Sequence, residues 1–362
     1  MADRPFVPFR TDRLTIRAFV AEDAESVAAY RDDPEVARYQ DWDLPYGLER
    51  ARASIQRYHA VGDGPVAGQW CQLAIDLDGT LIGDVAIGLD EHGAVATLGY
   101  TLARAHHGAG YAAEAVGALL GRLLAERPDV HRVTASVDPE NLSSIRLLES
   151  LGFSSDGISR RSELIRGEWL DDARYGLLRE EHAAWEARPS GPPATARLVE
   201  VTDANVRAVG RLATFGWQER LVAPNLVSLA QALVPGTDEE GGPMVPWLRA
   251  VEADGELAGF VMVAAPSPTS PRPYLWRFMI DRRHQRRGIG QLALRLVIEQ
   301  AVAWGATALD VSWVPGFGSP EAFYVRNGFV PTGAMDGEIA ARLTLASTSP
   351  PSAPSSPASA AP

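Results

Sequence analysis

Tyr274-Leu275-Trp276-Arg277-Phe278-Met279-Ile280-Asp281-Arg282-Arg283-His284-Gln285-Arg286-Arg287-Gly288-Ile289-Gly290 decides the fold. Its first seven residues are an apolar run of strand length. The next seven are charged or polar, and glycine follows at 288 and 290. Beyond them Leu292, Leu296 and Val297 recur at helical spacing and share one helix face. A strand, a turn and a helix follow one another. Such a turn aims several backbone N–H groups at one point, and the helix N-terminus adds about half a positive charge there. That combination binds anions, phosphate among them. Glycine at 288 and 290 removes the Cβ atoms that would hold a ligand off the backbone. The same turn also fits an ordinary helix start or part of a dinucleotide fold.

The pattern occurs twice. Leu98-Gly99-Tyr100-Thr101-Leu102 is an apolar strand leading to His106-His107-Gly108-Ala109-Gly110-Tyr111-Ala112. A helix follows with Val116, Leu119, Leu120, Leu123 and Leu124 on one face. A strand at Arg132–Val137 and a short helix ending in Leu151-Gly152-Phe153 complete the copy. In the second half, the strand Ala308–Trp313 and the helix ending in Asn327-Gly328-Phe329 match them. An offset of 178 residues takes Gly110 to Gly288, and one of 176 takes Gly152 to Gly328. Two landmarks at nearly one offset indicate a duplicated domain.

Gln285-x-x-Gly288-x-Gly290, directly after an apolar strand, resembles the pyrophosphate loop of the GCN5-related N-acetyltransferases (GNAT). The resemblance implies an α/β fold of two tandem acyl-CoA N-acyltransferase domains. Each is a mixed central sheet with parallel strands four and five splayed apart and flanked by helices. It implies acetyl-CoA as co-substrate, with the pantetheine arm in the splay. The contacts it predicts are Met279, Ile280, Gln285, Arg286, Arg287, Gly288, Ile289 and Gly290 in the second copy. In the first they are Leu102, His107, Gly108, Gly110, Tyr111 and Asn141. Tyr324, in Glu321-Ala322-Phe323-Tyr324-Val325-Arg326-Asn327-Gly328-Phe329, matches the tyrosine that protonates the departing sulfur in many members. A phenol is protonated at neutral pH and suits that role; a buried helix tyrosine is the other reading.

The first half resembles the RimJ/RimL-type branch through Thr11-x-Arg13-Leu14-x-x-Arg17 and through Asp138–Phe153. There Ser144 matches a serine with the proton-donor role, or is an ordinary residue of a helix start. Asn141 reaches the coenzyme or caps the helix behind it. Arg-Phe-Met-Ile-Asp at 277–281 resembles the spermidine/spermine (diamine) acetyltransferase branch. Three positions depart from the pattern. His107 heads the first loop where relatives carry Gln or Arg. Thr97 stands where relatives often carry a glutamate base. Pro315–Ser319 lacks the asparagine found in relatives, which leaves one coenzyme contact unassigned. The fuller loop and Tyr324 favour the second copy as the active one. The alternative is that one copy is a structural or acceptor-recognising module.

The chain has 362 residues, of which 46% are hydrophobic and 22% charged, with formal net charge −12. The expected domains are 1–188 and 196–346, joined by a Pro/Gly-rich linker at 189–195. A Ser/Pro/Ala tail at 347–362 cannot bury a core and is expected to be disordered. No apolar run approaches the roughly 18 residues a membrane helix needs, and Met1–Pro5 lacks a secretion pattern. A single cysteine, Cys71 in the apolar run Trp70–Ile75, excludes a disulfide framework and a multi-cysteine metal site. A cytoplasmic enzyme without metal is expected, either a monomer mimicking a dimer or a homodimer. The negative charge argues against nucleic acid. A primary amine is the expected acceptor: a polyamine, an antibiotic amine or a protein N-terminus. Glu219, Asp238-Glu239-Glu240 and Asp41-Trp42-Asp43 lie, as the GNAT resemblance implies, where members of that family build the acceptor pocket; they attract a cation or are solvated loops. No general base is legible. An oxidoreductase or NTPase is disfavoured, because no Gly-Lys-Ser/Thr and no ribose-binding acid follow the turn.

Overall fold

A computed structural model describes residues 5–62, 64–237 and 241–345. The expectations for Asp238-Glu239-Glu240 and for the tail from Ser347 lie outside the described residues. The chain divides after Ala187 into two compact units.

Eight strands form the sheet of the first unit: β1 (Phe9–Arg10), β2 (Thr15–Arg17), β3 (Trp70–Leu77), β4 (Thr80–Leu89), β5 (Val95–Leu102), β6 (Arg132–Val137), β7 (Ser154–Ile165) and β8 (Glu168–Leu178). Their order is β1-β2-β3-β4-β5-β6-β8-β7. The helices are α1 (Ala24–Arg31), α2 (Pro34–Ala37), α3 (Leu48–Val61), α4 (Tyr111–Glu126), α5 (Leu142–Ser150) and α6 (Arg179–Glu186). The second unit has β9 (Ala196–Glu200), α7 (Val206–Arg211), α8 (Asn225–Leu233), β10 (Val245–Ala253), β11 (Glu256–Ala265) and β12 (Tyr274–Ile280). There follow α9 (Ile289–Ala303), β13 (Ala308–Trp313), α10 (Glu321–Arg326), β14 (Val330–Met335) and β15 (Glu338–Thr344). Its sheet runs β9-β10-β11-β12-β13-β15-β14. The two orders coincide once β1 and β2 are counted as one edge strand, so the duplicated landmarks reflect one topology built twice.

Among the described residues each sheet holds one parallel strand pair, and that pair is short. β5 and β6 pair only from Val95↔Arg132 to Thr97↔Thr134. β12 and β13 pair only at Tyr274↔Asp310 and Leu275↔Val311. Beyond those points the strands separate, and the edge of β5 or β12 has no strand beside it. In β12 a bulge sits at Trp276, where the register with β11 shifts between Met262 and Val263. A bulge inserts one residue and bends its strand, here where the parallel ladder ends. β5 keeps an unbroken register with β4.

In the second unit α9 covers one sheet face. Leu294 and Val297 bury against Val261, Val263, Leu275, Val311 and Phe329. The opposite face packs Val209 of α7 against Ala250, Phe260, Met262 and Met279. The repeated Gly-Phe landmark is a helix stop. Gly152 and Gly328 take φ of 97° and 89°, and the following Phe153 and Phe329 bond back to Leu148 O and Tyr324 O. Both phenylalanines are buried.

Two stretches depart from what their local pattern alone suggests. Phe9–Arg17, which alternates like one strand, is broken by a turn in which Thr11 N bonds Leu14 O and Leu14 N bonds Thr11 Oγ1, both at 2.9 Å. Asn205 takes the Thr202 N–H at 2.8 Å just ahead of α7, which begins only at Val206. Cys71 is buried.

Candidate functional site

Strand alternation decides which backbone groups face the gap. Asp281 N bonds Ala258 O on β11 at 2.9 Å. The N–H and C=O of Ile280 and Phe278 therefore point the other way, into the open edge. Met279, between them, turns its backbone to β11 and its side chain into the core on the α7 face. In the first unit Ala103 N bonds Ile82 O at 2.9 Å, so Leu102 and Tyr100 face the gap in the same way.

The turn after β12 is anchored by two side chains. The Asp281 carboxylate accepts from Arg283 N at 2.9 Å and Ala213 N at 3.0 Å. Gln285 Nε2 donates to Ile280 O at 3.0 Å and to Gln218 Oε1 at 2.8 Å. Arg286 and Gly288 take left-handed φ of 65° and 79°. This folds the turn so that the N–H groups of Gln285 through Gly288 find no acceptor among the described residues. A Cβ built on Gly288 would meet nothing within 4 Å. The result is an open cradle of donors at the α9 N-terminus, with the exposed Arg286 beside it.

Arg287 does not join that cradle through its side chain. Its guanidinium is buried, bonding Gly191 O, His284 Nδ1 and Asp254 Oδ2, each at 3.0 Å. Burial, the main cause, holds His284 below its ordinary pKa, and its Nδ1 accepts from Arg287. Only the Arg287 backbone N–H is available to a ligand.

The first unit repeats the cradle with other residues. His107 Nε2 donates to Leu102 O at 2.8 Å, the bond that Gln285 makes to Ile280. The departure at His107 therefore preserves the contact. Gly108 and Gly110 take φ of 78° and 82°, matching Arg286 and Gly288. The cation comes from elsewhere: Arg13 Nη1 bonds Ala109 O at 3.0 Å and its guanidinium lies 4.4 Å from the Tyr111 ring. Glu114 in the first turn of α4 holds Arg13 Nε at 2.7 Å and Arg13 N at 2.8 Å. Sequence reading used the Thr11–Arg13 wording as a family mark and missed its job of bringing a charge to the loop.

Asn141 caps α5, its Oδ1 accepting from Ser144 N at 3.2 Å. The Ser144 hydroxyl donates to Tyr100 Oη at 2.9 Å. Burial is the main cause pushing the Tyr100 phenol up to about 12. Thr97 bonds Thr134 Oγ1 at 3.0 Å where the parallel ladder ends, so no carboxylate stands there. Trp42 is buried and donates to Arg31 O at 2.9 Å, while Asp41 and Asp43 are exposed.

The gap and the cradle of the second unit open into one cleft of about 1010 Å³. It is lined at one end by Gln285, Arg286, Gly288, Ile289 and Gly290. Away from it stand Arg277, Ser312, Trp313, Tyr324 and Glu338, and Glu219, next to the Gln218 that bonds Gln285, also lines the cleft. Tyr324 is buried, stacks on Trp313 at 5.5 Å and meets Phe323 and Phe329 edge-on. Burial raises its pKa well above the ordinary tyrosine value. Its hydroxyl has no hydrogen-bond partner among the described residues. Trp313 Nε1 is likewise buried without a partner.

On the sheet face away from α9, Tyr274 Oη donates to Ser312 Oγ at 2.6 Å, and Ser312 Oγ donates to Glu338. Sequence reading missed Tyr274, Ser312 and Glu338. Only the register of β12, β13 and β15 brings them together, and no local motif encodes it. The cleft thus offers anion donors at one end, open strand edges in the middle, and a phenol with a carboxylate relay at the other. The loop 315–319 supplies Ser319 to the lining but no asparagine.

Among the described residues no helix is long and apolar enough to cross a membrane. No group of three or more His, Cys, Asp or Glu among them could hold a metal ion.

Residues 13–154 match the family model described as an acetyltransferase (GNAT) domain, and residues 199–329 match that of the acetyltransferase (GNAT) family. The uncharacterized N-acetyltransferase p20 of Bacillus licheniformis is 35% identical over 176 residues, which are 48% of this chain and 97% of that protein. The ribosomal protein uS5-alanine N-acetyltransferase of Escherichia coli (strain K12) is 27% identical over 180 residues, 48% of this chain and 91% of its own. Mycobacterium smegmatis RimJ, solved in complex with CoA-disulfide, aligns at 25% identity over 46% of this chain and 83% of its own, with a TM-score of 0.42.

Proposed function

Because this chain belongs to the GNAT family and is an acetyl-CoA-dependent acetyltransferase of two tandem domains, we propose that its second unit transfers the acetyl group directly to a primary amine. The observation that carries this reading is the continuity of one cleft in the second unit. It joins an unsatisfied donor cradle, an open strand edge and a buried phenol. The residues fit the co-substrate. Gln285 to Gly290 would hold its pyrophosphate through backbone N–H groups, with Arg286 adding charge. The edges of Phe278 and Ile280 would hold the pantetheine amides. When bound, acetyl-CoA supplies an activated thioester, and no covalent enzyme intermediate is needed.

This chain's own residues then do three things. An N–H on the open edge at Phe278 or Ile280 polarises the carbonyl, as oxyanion donors do. Tyr324 delivers a proton to the departing sulfur. Glu338, through Ser312, receives the proton that the acceptor amine loses. The acetyl group moves as the amine nitrogen–carbon bond forms and the sulfur–carbon bond breaks.

The first unit would hold the coenzyme at Leu102, His107, Gly108, Gly110, Tyr111 and Asn141. Its proton donor would be Ser144 backed by Tyr100. The alternative reading makes that unit a structural or acceptor-recognising module. Titration calorimetry with acetyl-CoA separates the two: two sites per chain sink the module idea, and one site supports it. The transfer itself is tested by mass-spectrometric screening of amines with labelled acetyl-CoA. A protein N-terminus, a polyamine and an antibiotic amine are the classes in the screen. Transfer to none of them removes the reading. A cytoplasmic location belongs to the same proposal.

A further inference from the structure

We infer that the acceptor of the second unit carries a carboxylate close to its amine, as an amino acid does. Arg277 would receive the carboxylate, and Glu338 would face the amine. The inference rests on the second unit being the catalytic one.

The bulge at Trp276 sets Arg277 opposite Met262. Met262 belongs to the core on the α7 face, so Arg277 lies on the sheet face away from α9 and lines the cleft. Among the described residues its hydrogen bonds go to neutral oxygens only: Nη1 to Trp276 O at 2.9 Å and Nη2 to Gln231 Oε1 at 3.3 Å. Its Nε is buried without a partner among the described residues. No carboxylate among the described residues stands at ion-pair distance. A half-buried guanidinium without a counter-ion is costly to keep, and burial, the main cause, lowers its pKa. A planar fork of donors left open in a cleft is the form in which arginine recognises carboxylates.

The same face carries the Tyr274–Ser312–Glu338 relay. Glu338 acts on Arg277 electrostatically but does not bond it. The acceptor end therefore presents a cation and a carboxylate held apart. A zwitterion of opposite order bridges them, its carboxylate on Arg277 and its ammonium beside Glu338, from which the amine must lose a proton before attack. Tyr324 approaches from the other sheet face, through the gap. A polyamine would set a second cation against Arg277. In the first unit the matching position, three residues before Leu102, is Gly99, next to Trp70, so this device belongs to the second unit alone.

The test uses the full chain, labelled acetyl-CoA and matched acceptor pairs. Each amino acid is set against its decarboxylated amine and its carboxamide, with a polyamine included. Carboxylated members should show kcat/KM higher on the order of 10²-fold, the scale of losing one partner of a desolvated charge pair. R277M should lose that preference through KM while its calorimetric affinity for acetyl-CoA stays unchanged, and R277K should restore part of it. Gln231→Ala, which keeps the charge, guards against a folding failure of R277M; it should weaken the preference without abolishing it. Equal or faster transfer to the decarboxylated amines or carboxamides overturns the inference and leaves the acetyltransferase reading standing. No transfer to any member, with acetyl-CoA bound at the second unit, overturns both.

Discussion

Replacing Tyr324 by phenylalanine removes one oxygen and little else. The ring keeps its stack on Trp313 at 5.5 Å and its edge contacts with Phe323 at 5.3 Å and Phe329 at 5.4 Å. The lost hydroxyl has no protein partner among the described residues, so no donor or acceptor is orphaned. Stability should change by less than about 1 kcal/mol, whereas Tyr324→Ala should cost about 3–5 kcal/mol by emptying a packed site. The effect on rate is different in kind. A positioned general acid contributes about 10²- to 10⁴-fold. Burial raises the Tyr324 pKa, which makes it a weaker acid than a free phenol, and a thiol ordinarily titrates near 8.5. Proton transfer to sulfur is then uphill, and the benefit falls at the low end, about 10²-fold or about 2.7 kcal/mol of barrier. The assay is single-turnover acetyl transfer with calorimetry of acetyl-CoA binding: kcat should fall about 100-fold with Kd unchanged. The raised pKa also keeps the phenol protonated through the ordinary tyrosine range, so Tyr324 should impose no loss of rate below about pH 10. A Tyr324→Phe enzyme of full rate, with its fold intact by melting, would refute the assignment.

Three further outcomes follow from the same geometry. Asp254 holds the joining segment, accepting from Ala194 N at 2.8 Å and Thr195 N at 3.0 Å and pairing with Arg287. Hydrogen bonds from the Thr195 and Ala194 backbone, with Arg287, hold its pKa below the ordinary carboxylate value. Its contribution is therefore present above about pH 4 and lost as pH falls below that; limited proteolysis at 188–195 should accelerate in acid, and Asp254→Asn should already be fast at neutral pH. A flat proteolysis rate across that window would count against the anchor. Gln285→Ala removes the bond to Ile280 O, and His107→Ala the bond to Leu102 O; each should weaken acetyl-CoA binding at its own unit by about five- to tenfold, near 1 kcal/mol, read by calorimetry. Equal affinities in wild type and variant would show that the loop holds its shape without them.

Much of the fold was legible because each element carries its own period. β12, β13, α9 and the hairpin around Asp254-Gly255 all announce themselves locally, as does the Gly-Phe stop after α5 and α10. The edge strand did not: Thr11 and Leu14 bond each other instead of a neighbour, and alternation alone does not reveal that. In the site, the donor cradle could be read because glycine and left-handed backbone mark it directly. The Arg287 side chain turns away from the cradle because its direction depends on Asp254 and Gly191, far from it in sequence. His107 was underrated because imidazole and amide nitrogens make the same bond to a strand-end carbonyl. The grouping of Glu338, Ser312 and Arg277 was not legible because they meet through strand register and a one-residue bulge.

The central claim is that the second of two coenzyme sites performs the transfer, and Gly288→Glu compared with Gly110→Glu tests it directly. Both glycines hold φ near 80°, so each substitution costs about 1–2 kcal/mol of backbone strain. Each also puts a carboxylate into its own donor cradle. Acetyl transfer by the full chain, at matched folded fraction, should be abolished in Gly288→Glu and retained in Gly110→Glu. Transfer that survives Gly288→Glu but disappears in Gly110→Glu would contradict the account.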